Sequence, residues 1–322
     1  MRRKSTGSTS HVRRVHAREM NRREWLFGMW GGLVRGQEPI EPTFSTSVKI
    51  VDVLASVRSK NGQIVTNLAK EDFVLLENGR QQEVRYFSRE SDLPLTVGLL
   101  IDTSLSQEKV LNAERAAIRR FLDQVLRETK DKLFLMQFDM AVQVRQKLTS
   151  SRKALDEVLN YVDTPSRREL GMQTGGGTLL YEAVYQAATG VLKEQRNRKA
   201  VIVLSDGEDF GSEKTLDEAV EAAVKADVLV YGIYFTGGGG SRDGRGVLRR
   251  LAQGTGAGYF EVTKKLGIEQ IFDAIQEELR GQYSLGFISD QPARLSEFRK
   301  LQLVTKQKGL VVQARERYLA RP

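Results

Sequence analysis

The pattern of hydrophobic and polar positions changes twice along the 322-residue chain. Between 44 and 88, apolar and β-branched residues alternate with polar ones, and two Asn-Gly pairs interrupt them, which favours antiparallel strands joined by tight hairpins. Between 95 and 280, short apolar runs alternate with amphipathic stretches of helical periodicity, which is typical of parallel strands joined by helices. Strand-like alternation returns after 281.

These changes predict one domain inserted into another. Three or four strands in about 45 residues are too few for a self-sufficient sandwich, so we expect the strands after 281 to complete it. We predict an α/β fold with a doubly wound, Rossmann-like, mostly parallel sheet, inserted in a small β-sandwich-like domain formed by both chain ends. The predicted divisions are a basic leader with a linker (1–43), an N-terminal β segment (44–92), the α/β domain (93–281) and a C-terminal β segment (282–322).

The α/β part begins with a stretch that combines a buried strand with candidate ligands. Leu95–Ser106 reads LTVGLLIDTSLS, an apolar run that ends in Asp102 and is followed by Ser104 and Ser106. A run of this kind is typical of a central parallel strand, and the carboxyl end of such a strand is where open α/β sheets bind ligands. Carboxylate and hydroxyl oxygens are hard donors that suit Mg²⁺, Ca²⁺ or Mn²⁺.

Two further loops at the same predicted sheet edge carry oxygen donors. Thr178 follows a glycine-rich loop and is expected to open a helix over 178–194, and Asp206 follows the short apolar run KAVIVL. The three loops together offer a cation four or five protein oxygens and leave one coordination position open. Glu208 and Asp209 are expected to be solvated loop acids. The segment 237–246, GGGGSRDGRG, lacks the Gly-Lys-Ser/Thr of a phosphate-binding loop and is expected to be a flexible loop.

The composition excludes several classes of catalytic site. The chain has no cysteine, which removes thiol nucleophiles, disulfides, zinc–thiolate sites and iron–sulfur clusters. Its two histidines, His11 and His16, both lie in the leader. The predicted domains therefore cannot build a Ser-His-Asp triad or a histidine-ligated metal site.

Most of the net charge of +9 belongs to the leader. Residues 1–24 hold eight Lys or Arg against Glu19 and Glu24, so they contribute +6, and the basic character of the chain does not predict a nucleic-acid partner. Arg22 and Arg23 precede an apolar run from Trp25 to Val34, which is shorter than the roughly 20 residues of a membrane-spanning helix. Because it has the length of a signal-peptide apolar region and resembles a twin-arginine export signal, we predict export to the periplasm, the cell surface or the medium. A cytoplasmic protein with an unstructured leader is the alternative.

The candidate ligands carry a family resemblance. D-x-S-x-S after a buried strand, a threonine after glycines and a later strand ending in S-D-G resemble the von Willebrand factor type A domain over roughly 95–280. The resemblance implies that the family's metal-ion-dependent adhesion site falls on Asp102, Ser104, Ser106, Thr178 and Asp206. The flanking segments DFVLLENGRQQEVRYFS and VVQARERYLA are similar to those of an exported acidobacterial group related to this domain.

The resemblance implies a function in protein binding. In this family the open position of the metal accepts a carboxylate, so the chain is expected to be a non-enzymatic adhesion module that captures an Asp or Glu of a protein partner through Mg²⁺, or through Mn²⁺ or Ca²⁺. Two alternatives remain open: a scaffold with a vestigial metal site, and a cytosolic adaptor of an ATPase complex. A Mg²⁺-dependent haloacid-dehalogenase-like phosphatase is a remote alternative, since that family places a second aspartate where this chain has Ser104.

Overall fold

Strands and helices follow one another in the order that the hydrophobic pattern predicts. The computed structural model describes residues 49–89, 93–165, 177–196, 198–235, 242–291 and 293–322. The strands in these ranges are β1 (Val51–Ser59), β2 (Phe73–Glu77), β3 (Arg80–Gln82), β4 (Val84–Ser88), β5 (Leu95–Asp102), β6 (Lys132–Phe138), β7 (Val142–Thr149), β8 (Arg198–Ser205), β9 (Val228–Tyr234), β10 (Tyr259–Glu261), β11 (Tyr283–Phe287), β12 (Glu297–Thr305), β13 (Leu310–Ala314) and β14 (Arg317–Ala320). The α-helices are α1 (Leu111–Val125), α2 (Arg152–Leu159), α3 (Leu180–Gln186), α4 (Leu216–Lys225), α5 (Arg242–Thr255) and α6 (Ile268–Arg280).

A six-stranded sheet lies at the centre of the α/β part, which we define as β5 to α6. Its strand order is β10-β9-β8-β5-β6-β7, and all neighbours are parallel except the edge strand β7, which is antiparallel to β6. All eight residues of β5 are buried, because helices cover both faces of the sheet. Helices α1, α2 and α6 pack on one face, and α3, α4 and α5 pack on the other. This arrangement is the doubly wound sheet that the sequence predicts.

The two ends of the described chain together form the β part, defined as β1–β4 with β11–β14. One sheet has the order β13-β1-β11-β4 and the other β14-β12-β2-β3, so each combines strands from both sides of the α/β part. Asn78 and Gly79 both have positive φ values, 48° and 81°, and make the predicted hairpin between β2 and β3. The two sheets share one hydrophobic core, to which Val53, Leu75, Tyr283, Phe287 and Leu303 contribute.

The chain enters and leaves the α/β part through neighbouring strands. β4, which precedes β5, pairs antiparallel with β11, which follows α6, and Ser88 lies opposite Ser284. The prediction of an α/β fold inserted between β strands from both chain ends is therefore confirmed. The exact divisions at 44–92, 93–281 and 282–322 stay a prediction, and Val48–Pro322 forms one compact unit.

A buried carboxylate fixes the start of β5. Asp131, just before β6, accepts hydrogen bonds from the Leu95 backbone N–H at 2.8 Å and from Arg280 Nη2 at 2.6 Å. Its Oδ2 atom also accepts from Arg127 Nε at 3.0 Å, just beyond the end of α1. The Asp131 side chain thus holds together the first residue of β5, a residue just beyond the end of α1 and the last residue of α6.

Two element boundaries differ from the prediction. Helix α3 begins at Leu180 instead of Thr178, and a π-helical turn over Ala187–Leu192 extends it. Arg242–Gly246, expected in a flexible loop, forms the first turn of α5. The leader (1–43), the glycine-rich segment 171–176 and the tract 237–240 lie outside the described residues. Among the helices within the described ranges, none is long and apolar enough to cross a bilayer.

Candidate metal centre

The predicted ligands surround the point where the strand order of the central sheet reverses. The chain passes from β5 to β6 on one side and later returns to β8 on the other side of β5. In open α/β sheets, such a reversal leaves a crevice beyond the carboxyl ends of the two strands. Asp102 is the last residue of β5, and Asp206 directly follows Ser205, the last residue of β8, so both acids lie at the carboxyl ends of the strands that border this crevice.

Asp102 is fully buried and held by two hydrogen bonds. Its Oδ1 atom accepts from the Ser104 backbone N–H at 2.9 Å, and its Oδ2 atom accepts from Ser205 Oγ at 2.6 Å. The first bond turns the chain sharply after the strand, and the second joins the ends of β5 and β8. Ser205 Oγ in turn accepts from the Gly207 backbone N–H at 2.9 Å. The carboxylate is therefore oriented by both strands of the crevice.

The two loop hydroxyls lie side by side. Ser104 Oγ and Ser106 Oγ are 3.0 Å apart, and Gln107 Nε2 donates to Ser106 Oγ at 3.4 Å. The short 3-10 turn Leu105–Gln107 places both hydroxyls on one side of the loop before α1. The alternate spacing of Ser104 and Ser106 in the sequence thus becomes a hydroxyl pair beside Asp102.

Asp206 sits in a turn that requires glycine at the next position. Gly207 has φ +77°, and a Cβ built on it would lie 2.1 Å from the carbonyl oxygen of Gly244 in α5. Asp206 is 4% exposed, and its Oδ1 atom accepts from the Glu208 backbone N–H at 3.2 Å. The close passage of α5 therefore fixes the backbone that carries Asp206.

Thr178 lies at the same edge but does not open a helix. Its backbone forms an antiparallel bridge with Phe210, with N–H···O distances of 3.0 and 2.9 Å, and the next N–H, that of Leu179, donates to the Asp139 carbonyl at 2.9 Å. Thr178 is thereby tied to the loop after β8 and to the end of β6. Its side chain gives α3 no cap, since the residue before that helix is Leu179.

Burial and neighbouring negative charges raise the pKa of two carboxyl groups in this region. Burial, opposed by hydrogen bonds from Ser104 and Ser205 and reinforced by the charge of Asp206, raises the pKa of the Asp102 carboxyl to about 7. Burial, reinforced by the charges of Asp102 and Asp206, raises the pKa of Glu114 in α1 well above its usual range. The negative charges of Asp102, Glu114 and Asp206 thus act on one another in a buried region of low dielectric. A bound cation would compensate these charges and is therefore favoured.

The donor set in this region is mixed. The described residues contain no group of three or more His, Cys, Asp or Glu side chains arranged to hold a metal. A cation here would therefore need hydroxyl oxygens beside carboxylates, and the pair Ser104 and Ser106 offers them next to Asp102. Oxygen donors of these types fit Mg²⁺, Mn²⁺ or Ca²⁺.

Three polar residues of this region were not predicted from the sequence. Ser205 orients Asp102, and Asp139 Oδ2 accepts from Thr103 Oγ1 at 2.7 Å beside the end of β6. Glu114 is the third, and its position three residues after Leu111 and four before Ile118 puts it on the apolar face of α1. That periodicity was visible in the sequence and could have indicated a buried acid.

The two acids that follow Asp206 take different roles. Glu208 is exposed, as expected. Asp209 is partly buried, and its Oδ1 atom accepts from the Tyr181 backbone N–H at 2.9 Å and from Ser212 Oγ at 2.7 Å. Asp209 therefore caps the first turn of α3 and is engaged by protein donors.

One known domain family matches part of the chain. A sequence profile of the von Willebrand factor type A domain matches residues 97–208. No curated protein matches the chain.

Several solved structures are similar. The conserved hypothetical protein BatB from Bacteroides thetaiotaomicron is 20% identical, with 57% of this chain and 97% of that chain covered and a TM-score of 0.44. A von Willebrand factor type A protein from Catenulispora acidiphila is 13% identical, with 86% of this chain and 76% of that chain covered and a TM-score of 0.46. Proximal thread matrix protein 1 from the mussel byssus is 13% identical, with 62% of this chain and 48% of that chain covered and a TM-score of 0.47. That structure has zinc in its MIDAS motif, the metal-ion-dependent adhesion site. The profile match over residues 97–208 confirms the predicted resemblance to the von Willebrand factor type A domain.

Proposed function

We propose that this protein is a binding module that captures an acidic side chain of a protein partner through a divalent cation. The observation that carries the proposal is the crevice beyond the paired strands β5 and β8, where Asp102 and Asp206 are both buried and the hydroxyl pair of Ser104 and Ser106 follows Asp102. Buried carboxylates that repel one another are stabilised by a cation, which supports a metal at this position.

The proposed ligands are Asp102, Ser104, Ser106, Thr178 and Asp206, some of them through water. When bound, the cation would supply positive charge and a free coordination position that favours a carboxylate oxygen. The protein residues orient this site, because Ser205 and the Ser104 N–H hold Asp102, and Gly207 fixes the turn of Asp206. Mg²⁺ is the proposed ion, with Mn²⁺ or Ca²⁺ as substitutes.

The surface beside the crevice supports a protein as the partner. Leu105, between the two serines, is 46% exposed, and Phe210, paired with Thr178, is 68% exposed. Exposed apolar side chains around a small polar site are typical of surfaces that bind proteins. We therefore propose a partner segment in which an Asp or Glu is flanked by apolar residues.

The enzymatic alternative finds less support among the residues. The position two residues after Asp102 is Ser104, whose hydroxyl lies 3.0 Å from Ser106 Oγ. A phosphatase of the haloacid-dehalogenase type needs an acid at this position to protonate the leaving group. The pairing of two hydroxyls suits a ligand role better, so we propose a non-enzymatic module.

The test is selection of a displayed random-peptide library on the immobilised full chain in Mg²⁺, followed by elution with EDTA. We expect the eluted peptides to be rich in Asp or Glu beside apolar residues, and Asp102→Asn to capture none of them. Glu208→Gln is the matched control, because it removes one exposed negative charge two residues from Asp206 and should retain capture. Peptides that stay bound in EDTA, or that Asp102→Asn holds equally well, would refute the proposal. A wild-type chain that binds no cation in calorimetry would point to a vestigial site on a scaffold.

We further propose that the protein is exported, on the basis of Arg22, Arg23 and the apolar run that follows them. Mass spectrometry of the mature N-terminus tests this, because export with cleavage removes the basic leader. An intact leader on protein recovered from the cytosol would favour the adaptor alternative.

A further inference from the structure

Glu114 is a buried acid that the five proposed ligands leave unexplained. It lies in the first turn of α1, and its side chain is 0% exposed. Neither of its carboxylate oxygens has a hydrogen-bond partner among the described residues. A buried carboxylate without a donor is costly in free energy, so this position calls for a positively charged or hydrogen-donating group.

A second buried oxygen beside the same loop is also without a donor. Gln107 is 0% exposed, and its Oε1 atom has no partner in the described part of the chain. Its other terminal atom, Nε2, donates to Ser106 Oγ. One unpartnered oxygen therefore belongs to a side chain that contacts a proposed ligand.

The charges around Glu114 tie it to the proposed site. Its backbone N–H donates to the Val110 carbonyl at 3.0 Å, and the Val110 N–H donates to the Gln107 carbonyl at 2.9 Å, so Glu114 lies one helical turn from the loop of the hydroxyl pair. The charges of Asp102 and Asp206 both act on its carboxyl group. The described acids nevertheless form no group arranged to hold a metal directly. A carboxylate that is near a cation but outside its direct reach acts through a cation-bound water, which is a strong hydrogen-bond donor.

We propose that Glu114 is an outer carboxylate of the cation site: it accepts a hydrogen bond from a cation-bound water and adds a third negative charge. This role rests on the proposed function, since it needs a cation at Asp102 and Asp206. Gln107 Oε1 is a second acceptor for such a water. Outer partners of this kind typically change metal affinity by about 10-fold to 100-fold.

The test is calorimetric titration of the full chain with Mg²⁺ alone and with Mn²⁺ alone. Glu114→Gln keeps the shape of the side chain and removes its charge, and we expect its Kd to rise by about 10-fold or more. In EDTA the same variant should melt at or above the wild-type Tm, because it loses a buried carboxylate that has no partner. Glu114→Met, which removes both oxygens, should also bind weakly and should raise the Tm in EDTA.

Glu278→Gln is the matched control. Glu278 is also 0% exposed, but its Oε1 atom accepts from Arg58 Nε at 2.8 Å in a region joined to β1. Its replacement should lower the Tm in EDTA and leave the cation Kd unchanged. The control thus distinguishes a buried acid that stabilises the fold, Glu278, from one that increases the affinity for the cation, Glu114.

Three outcomes would overturn the role of Glu114. A Kd of Glu114→Gln equal to that of wild type, while Asp102→Asn no longer binds the cation, would remove this role and leave the proposed function standing. A Tm of Glu114→Gln in EDTA as low as that of Glu278→Gln would indicate a purely structural acid. A wild-type chain that binds neither cation would overturn both proposals together.

Discussion

Gly207 permits the turn that carries Asp206 out of β8. Its φ of +77° favours glycine, and its neighbour Gly244 in α5 leaves no room for a side chain. Gly62 has a similar φ of +82° but has nothing within 4 Å of the place a Cβ would take. A substitution at Gly62 therefore tests only the free-energy cost of the left-handed backbone. A substitution at Gly207 adds the cost of a steric clash with Gly244.

We expect Gly62→Ala to lower the free energy of unfolding by about 1 kcal/mol, which is the cost of the backbone conformation alone. Gly207→Ala should cost at least about twice as much, because its methyl group must displace α5. It should also weaken Mg²⁺ binding, since Asp206 moves with the turn. Urea unfolding and calorimetry of both variants provide the measurement. Equal losses of stability would show that the contact with Gly244 carries no cost.

Some residues of the candidate site could be predicted from the sequence and others could not. Asp102 and Asp206 follow apolar runs, so their places at strand ends were readable from the pattern, and the alternate spacing of Ser104 and Ser106 indicated a shared side. Glu114 was not predicted, although its spacing from Leu111 and Ile118 placed it on the apolar face of α1; the sequence does not report which groups that face packs against. The bond from Ser205 to Asp102 joins two strands 103 residues apart, and no local pattern reports such a contact.

Asp131 joins three elements of the α/β part. Burial alone would raise its pKa, but the hydrogen bonds from Arg127, from Arg280 and from the Leu95 N–H outweigh burial and lower the pKa to about 2. A folded-state pKa below the ordinary 3.8 means that Asp131 contributes stability above pH 4. That contribution is lost as the pH falls towards 2, where the carboxyl becomes protonated in the folded state.

The loss of stability on protonation of Asp131 should be measurable by comparing the unfolding free energies of wild type and Asp131→Asn. The lowered pKa corresponds to about 2 kcal/mol, because one pKa unit is worth about 1.4 kcal/mol. We expect the gap in unfolding free energy between the two proteins to be constant above pH 5 and to narrow by about this amount towards pH 2. Denaturant unfolding across this range is the measurement. A gap that stays constant down to pH 2 would contradict the role of the carboxylate.

Element type was easier to predict than element boundaries. The apolar runs predicted the strands of the central sheet, and the amphipathic stretches predicted its helices. Helix α3 starts later than predicted because Thr178 pairs with Phe210, and α5 starts earlier although Gly244 and Gly246 disfavour a helix. In α5 the close contact of Gly244 with the turn at Gly207 is a tertiary requirement, which overrides local propensity.

An ion pair links the β part to the α/β part. Arg58 of β1 contacts Glu278 of α6 at 2.8 Å, and the carboxylate is fully buried whereas the guanidinium is 20% exposed. Burial raises the pKa of Glu278, and the charge of Arg58 opposes that rise. Removing Arg58 would leave a buried negative charge, which is more costly than losing the pair as a whole.

We therefore expect Arg58→Met to lower the free energy of unfolding by about 3 kcal/mol. The double variant Arg58→Met with Glu278→Gln should recover part of this loss, because no charge is then left buried. A double-mutant cycle by denaturant unfolding gives the coupling between the two side chains. Additive losses would show that the two side chains are energetically independent.

The pairing of β4 with β11 has a mechanical consequence. Because the chain enters and leaves the α/β part through these adjacent antiparallel strands, tension applied at β1 and β14 is borne by the hydrogen bonds of the β part. The α/β part behaves as a closed loop that carries no load while Ser88 stays opposite Ser284. Tension that runs from β1 to β14 therefore does not pass through the crevice between β5 and β8 until the hydrogen bonds between β4 and β11 break.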